Sequence, residues 1–149
     1  SAIHSFKFRD QKKAAYFFAE YINEVSEQFY PGFSIIPAPC SRKRLRIHGF
    51  DHMKLISDIL EKKYRKKVFN IFRKKKSRDQ KELGYEQRQL ELKGKIILSA
   101  KKAEKCLAAG GNAIIIDDVF TTGATANYCS ELLTGYGFKI IAIITLALD

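Results

Sequence analysis

An unbroken triplet of isoleucines, followed at once by two acids and a threonine–glycine loop, leaves a chain few ways to fold. The stretch is Ile114-Ile115-Ile116-Asp117-Asp118-Val119-Phe120-Thr121-Thr122-Gly123-Ala124-Thr125. It reads as a strand, a tight loop and the start of a helix. Three β-branched residues in succession suit a strand covered on both faces, because a half-exposed strand would alternate with polar residues. The small and hydroxylated residues after the acids lead into a new apolar run from Ala126 to Leu133. A loop at a helix N-terminus offers unpaired backbone N–H groups and the positive end of the helix dipole, which together hold a phosphate. The threonine hydroxyls add donors. Asp117 and Asp118 would repel that phosphate, so they serve another part of the ligand, and paired carboxylates suit the cis hydroxyls of a ribose. The ligand deduced from these residues is a ribose 5-phosphate. A buried strand ending in an Asp turn and a threonine-rich cap is the plain alternative, but a cap does not require this order of acids, threonines and glycine.

The 149 residues are the usual size of one domain, taken here as 1–149, and nearly half of them are apolar. No apolar run approaches the length of a membrane span, and no signal peptide is visible. Three cysteines, Cys40, Cys106 and Cys129, are odd in number and far apart, without a C-x-x-C pair. That pattern argues against a disulfide framework or a zinc site and for a reducing cytoplasm. His48 and His52 are four apart but have no evident third ligand, so no direct metal ligand is assigned. Lys and Arg total 27 against 16 acids, and more than half of the cations fall between Arg42 and Arg78. Such a field concentrates anions such as pyrophosphate, nucleotides or nucleic acid, unless it only solvates the surface.

Strand and helix signals alternate along the chain. Phe6-Lys7-Phe8 reads as an extended lead-in. Ala14, Ala15, Phe17, Phe18, Tyr21, Ile22 and Val25 recur at helical spacing between Gln11 and Gln28, and Pro31-Gly32 ends that helix. Phe33 to Ile36 is a buried strand, stopped by Pro37-Ala38-Pro39. Residues 40–50 form a loop carrying Arg42, Lys43, Arg44 and Arg46, placed after a strand's carboxyl end where parallel sheets bind ligands. A second helix runs from about Phe50 to Leu60, and Val68 to Phe72 is a second strand. Arg73 to Glu86 is polar and long for a connection, which marks a mobile functional loop. Arg88 to Leu92 reads as a short helix, Lys95 to Ser99 as a strand, and Ala103 to Ala109 as a helix closed by Gly110-Gly111. The signature strand follows, then a helix to about Tyr136 and a last strand from Lys139 to Ala147. This alternation predicts an α/β, Rossmann-like fold with a mainly parallel sheet flanked by helices.

Ala113 through Thr125 resemble, without a gap, the signature of the type I phosphoribosyltransferases, which bind phosphoribosyl pyrophosphate (PRPP). Beyond it, Pro37-Ala38-Pro39, Arg44, Arg46 and His48-Gly49-Phe50-Asp51-His52 look like the Pro-x-Pro and Arg-Gly-Phe-Asn-Gln region of the competence protein F (ComF) family. Gln80, Leu83 and Arg88 match that family's Gln-x-x-Leu-x-x-x-x-Arg spacing. The departures are the His-Gly-Phe-Asp-His version of the first motif and Glu91 where an Asn is usual. The family's cysteine-rich amino-terminal module is not among these residues.

The resemblance implies the type I phosphoribosyltransferase fold and transfer of phosphoribosyl from PRPP to a nitrogen acceptor, with release of pyrophosphate. It implies that Asp117 and Asp118 face the ribose hydroxyls and that Thr121, Thr122, Gly123, Ala124 and Thr125 cradle the 5-phosphate. Either aspartate could act as a base, although ribose binding suits them better. Cys40, Ser41, Arg42, Arg44 and Arg46 would form the pyrophosphate loop. Mg²⁺ would arrive with PRPP. Arg73, Gln80 and Arg88 would belong to a flexible lid. The family name implies a role in DNA uptake, with competence proteins among the partners. A non-catalytic PRPP- or nucleotide-binding module is the alternative, using Lys62, Lys63, Arg65, Lys66 and Lys67 on single-stranded DNA. A homodimer is compatible with all of these expectations.

Overall fold

The computed structural model describes residues 2–40, 45–46, 49–75, 94–117 and 124–146. Four helices and five strands occur among them. Helix α1 (Ala2–Phe29) leads into strand β1 (Ser34–Pro37), and helix α2 (His52–Lys62) follows. Strands β2 (Phe72–Lys74) and β3 (Ile96–Leu98), helix α3 (Ala100–Ala109), strand β4 (Asn112–Asp117), helix α4 (Ala124–Tyr136) and strand β5 (Ile140–Thr145) complete the order.

The main sheet has the order β1-β4-β5 and is parallel throughout. Its central strand is the isoleucine strand of the sequence. Ile114 lies opposite Ile35 on one side and Ala142 on the other. The two faces of β4 are claimed by different helices. Ile114 and Ile116, with Ile35, pack against α1 and α2 through Ala15, Ala19, Ile22, Met53 and Leu60. Ala113 and Ile115, with Ile36, pack against α3 and α4 through Cys106, Cys129 and Leu133. Burial on both faces is why the strand needs no polar alternation. Each isoleucine so enclosed contributes about 1.5–3 kcal/mol relative to exposure. The predicted α/β, Rossmann-like arrangement of a parallel sheet between helices is the one observed.

Local chemistry sets the helix ends. The Asp51 carboxylate accepts from the Lys54 N–H at 3.0 Å and caps α2, and Ser99 does the same for α3 through Lys102 at 3.3 Å. Gly110 closes α3 at φ 141°, a backbone angle that L side chains rarely adopt.

Three expected elements differ. Phe6 to Phe8 is not an extended lead-in but part of α1, since helical hydrogen bonding propagates through any residue of moderate propensity once a long helix is nucleated. Val68 does pair beside β1, as a single parallel bridge to Ile35, but the ladder stops there. Exposed Asn70 interrupts the apolar run, and the regular strand is β2, which pairs antiparallel with β3, Phe72 opposite Leu98. Arg73 therefore does not open a loop: it stands mid-strand opposite Ile97, and Lys75 N–H still bonds the Lys95 carbonyl. The expected short helix at 88–92 lies outside the described residues.

Candidate functional site

The carboxyl ends of β1 and β4 lie side by side. Pro37 is opposite Ile116, and the Ala38 N–H bonds the Ile116 carbonyl at 2.8 Å. Asp117 is the next residue, so its level in the sheet matches the Ala38-Pro39-Cys40 turn. Its backbone carbonyl accepts from Leu146 at 2.8 Å, and the residue is only 4% exposed. Helix α4 begins seven positions later, at Ala124, and a helix after a parallel strand directs its N–H-rich start toward the strand's carboxyl end. Thr125 sits half-buried in its first turn.

A cleft of about 280 Å³ opens beside this edge. Its floor is the Pro37–Cys40 turn. One wall is α2, contributing Asp51, Met53, Lys54, Ser57 and Asp58, and the other is the β2 segment, contributing Asn70, Phe72, Arg73 and Lys74. Three cations face two acids, and the Asp51 carboxylate is already occupied as a helix cap. The balance favours an anion. Ser57 is 3% exposed, and its hydroxyl has no hydrogen-bond partner among the described residues. A buried hydroxyl without a partner is costly, and it is a group that a bound ligand or water can satisfy.

Cys129, on α4, reports how the cleft and the acid meet. Burial pushes its thiol up, the negative charge of Asp117 pushes it further, and the positive charge of Lys74 pulls the other way, leaving it at about 12. Lys74 from the cleft and Asp117 from the sheet thus act on one buried sulfur. Because the unfolded thiol ionises near its ordinary 9.0, the contribution of Cys129 to stability is complete below that value and lost as pH rises toward about 12. Burial also raises Cys106. Only the thiolate reacts, and at pH 8 the Cys129 thiol, at about 12, is ionised in about one molecule in ten thousand. Native protein titrated with an aromatic disulfide reagent should therefore release about one equivalent of chromophore, from half-buried Cys40, against about three when unfolded. Two or more equivalents from the native state would contradict the burial of Cys106 and Cys129.

The predicted site residues divide accordingly. Asp117 and Cys40 are at the sheet's carboxyl edge, and Thr125 is in the first turn of α4, which starts at Ala124. Arg46 is exposed. Asp118, Thr121, Thr122, Gly123, Ser41, Arg42, Arg44, Gln80 and Arg88 lie outside the described residues. Arg73, expected in a lid, lines the cleft from β2. Of the basic group, Lys62, Lys63, Arg65 and Lys67 are exposed, whereas Lys66 is largely enclosed and ion-paired with Glu27 of α1. Lys54, Ser57, Asp58, Asn70 and Lys74 were not anticipated. Ser57 carried a signal: a serine between Ile56 and Ile59, on the helix face otherwise given to the core.

Among the described residues, no group of three or more His, Cys, Asp or Glu could hold a metal ion, and no helix is long and apolar enough to cross a membrane. The chain is similar to competence protein ComFC of Bacillus subtilis (strain 168), with 27% identity over 134 residues, 89% of this chain and 52% of the relative. It thus spans about half the length of that curated relative. No family model and no solved structure matches.

Proposed function

We propose that this chain binds PRPP at the carboxyl edge of β1 and β4 and acts as a phosphoribosyltransferase-like protein of the competence protein F type. The observation that carries the proposal is buried Asp117 at the carboxyl end of the central strand, level with the Pro37–Cys40 turn that lines a cation-bearing cleft. Asp117 and Asp118 hold the ribose hydroxyls, and the loop through Thr125 holds the 5-phosphate with backbone N–H donors. Lys54, Arg73 and Lys74 attract the diphosphate, and the Ser57 hydroxyl supplies a hydrogen bond to the ligand or to a water beside it. A Mg²⁺ ion brought on phosphate oxygens needs only one or two protein carboxylates; Asp58 is the cleft carboxylate that would meet it, and an ion held there would neutralise charge on the leaving diphosphate. Cations aimed at that group lower the barrier to its departure, and an enclosed site keeps water from replacing the nitrogen acceptor. Calorimetric titration with PRPP and Mg²⁺ tests binding. Turnover of radiolabelled PRPP against purines, pyrimidines and ammonia tests transfer and would name the acceptor.

Weak binding of single-stranded DNA is a second activity, favoured by the exposure of Lys62, Lys63, Arg65 and Lys67 at the end of α2. The similarity to a competence protein supports it. Each phosphate neutralised on a single strand contributes about −0.7 to the slope of log affinity against log salt, so four cations account for about −3. Replacing these four with glutamine should flatten the slope by that amount and leave PRPP affinity unchanged. Lys66 is kept, because its ion pair ties the segment after α2 to α1. Fluorescence anisotropy showing no binding at micromolar protein and about 50 mM salt would leave the patch a solubility device.

A further inference from the structure

Tyr16 of α1 is 51% exposed, and the fold sets it beside the basic end of α2. The Lys63 ammonium lies 5.9 Å from the centre of the Tyr16 ring and 5.4 Å from that of half-buried Tyr64. Both distances suit a cation–π contact. Arg65 follows at φ 53°, in the left-handed region, and turns the chain sharply after α2. Beyond that turn Lys66 pairs with Glu27 of α1. The cations after α2 are thereby held against the side of α1 that carries Tyr16.

Charge on this side favours an anion. At about 100° per residue, Arg9, Lys12 and Lys13 project within about 60° of Tyr16, toward the amino end, and all three are exposed. Lys62, Lys63, Arg65 and Lys67 are exposed on the α2 side. The exposed acids are Glu20, about 40° from Tyr16, Glu24, about 80° away, and Glu61 on α2. Asp10 projects about 120° away, and Glu27 is matched by Lys66. Those seven cations against three acids leave a positive field around an exposed ring. A lipid surface or an acidic peptide would use the charge and not the ring. Each nucleotide of a single strand uses both, offering a phosphate to a cation and an unpaired base to an aromatic face. A duplex keeps its base faces inside the stack. We infer that Tyr16 is a base-stacking residue, which makes the surface of α1 and the end of α2 select single-stranded over duplex nucleic acid. The inference rests on the single-strand reading proposed above and adds a neutral ring to its cations.

Fluorescence anisotropy of the full chain at about 50 mM salt tests it with three probes of about 12 nucleotides: a single strand, its duplex, and an abasic strand of equal length. The single strand should bind tightest. Charge alone would give the opposite order for the duplex, whose phosphates are more densely spaced. Tyr16→Ala should weaken single-strand binding about fivefold to a hundredfold. It should leave abasic affinity and the salt slope unchanged, because no phosphate loses a cation. Tyr16→Phe keeps the ring face and should bind as the native protein does. Equal affinity for the abasic and the complete strand, or single-strand binding indifferent to Tyr16→Ala, would overturn the inference and leave the cationic surface standing. Absence of binding to all three probes would remove both readings.

Discussion

Asp117→Asn combined with Asp118→Asn is expected to weaken PRPP binding about a hundredfold while the protein stays folded. Each replacement removes charge from an acceptor of ribose hydroxyls, and hydrogen bonds to charged groups contribute about 1.5–3 kcal/mol each. Losing two costs about 3 kcal/mol or more, which is a factor of about one hundred or greater in affinity. Asparagine keeps the size of aspartate, so the tight packing around Asp117, 4% exposed, is preserved. Asp117 also raises Cys129, and removing its charge should therefore lower that thiol's pKa. This second effect reports the substitution even without ligand. Calorimetry showing unchanged PRPP affinity in the folded double variant would remove the acids from the ligand and leave them as a strand-ending turn.

The part of this site that could be read in the sequence is the part built from consecutive residues. A strand, an acid and a helix start follow one another between Ala113 and Leu133, so their order in the chain is their order in space. The parallel sheet was legible for the same reason, because Ile114 to Ile116 can satisfy both faces only between helices. The cleft was not legible. Its walls come from the 37–40 turn, from α2 and from β2, and only the fold brings Ser57 and Lys74 to one space. The Lys66–Glu27 ion pair joins residues 39 positions apart, which made a paired lysine look like its solvated neighbours. Local propensity also misplaced β2. Apolar Val68, Phe69, Ile71 and Phe72 suggest one strand, but the polar Asn70 divides them between a single bridge to β1 and a ladder with β3.

Truncating Ile115 to alanine is expected to lower stability by about 2–5 kcal/mol, and the same truncation of Ile143 by less than about 1 kcal/mol. The residues are alike in chemistry and stand opposite each other in β4 and β5. Their surroundings differ. Ile115 is fully buried within the cluster formed by α3 and α4, so its loss removes transfer free energy and leaves a cavity that the packed sheet cannot close. Ile143 is 40% exposed on the edge strand, where water already meets much of the side chain. With a urea slope of about 2 kcal/mol/M, the Ile115 variant's midpoint should fall by about 1–2.5 M and the Ile143 variant's by about 0.5 M or less. The larger loss has a functional consequence, because β4 ends in Asp117. A variant at Ile115 should lose PRPP affinity in step with its folded fraction, and excess PRPP should raise its midpoint by mass action. Equal midpoints for the two variants would mean that β4 is not the enclosed centre of the sheet, and the buried placement of Asp117 at its end would lose its support.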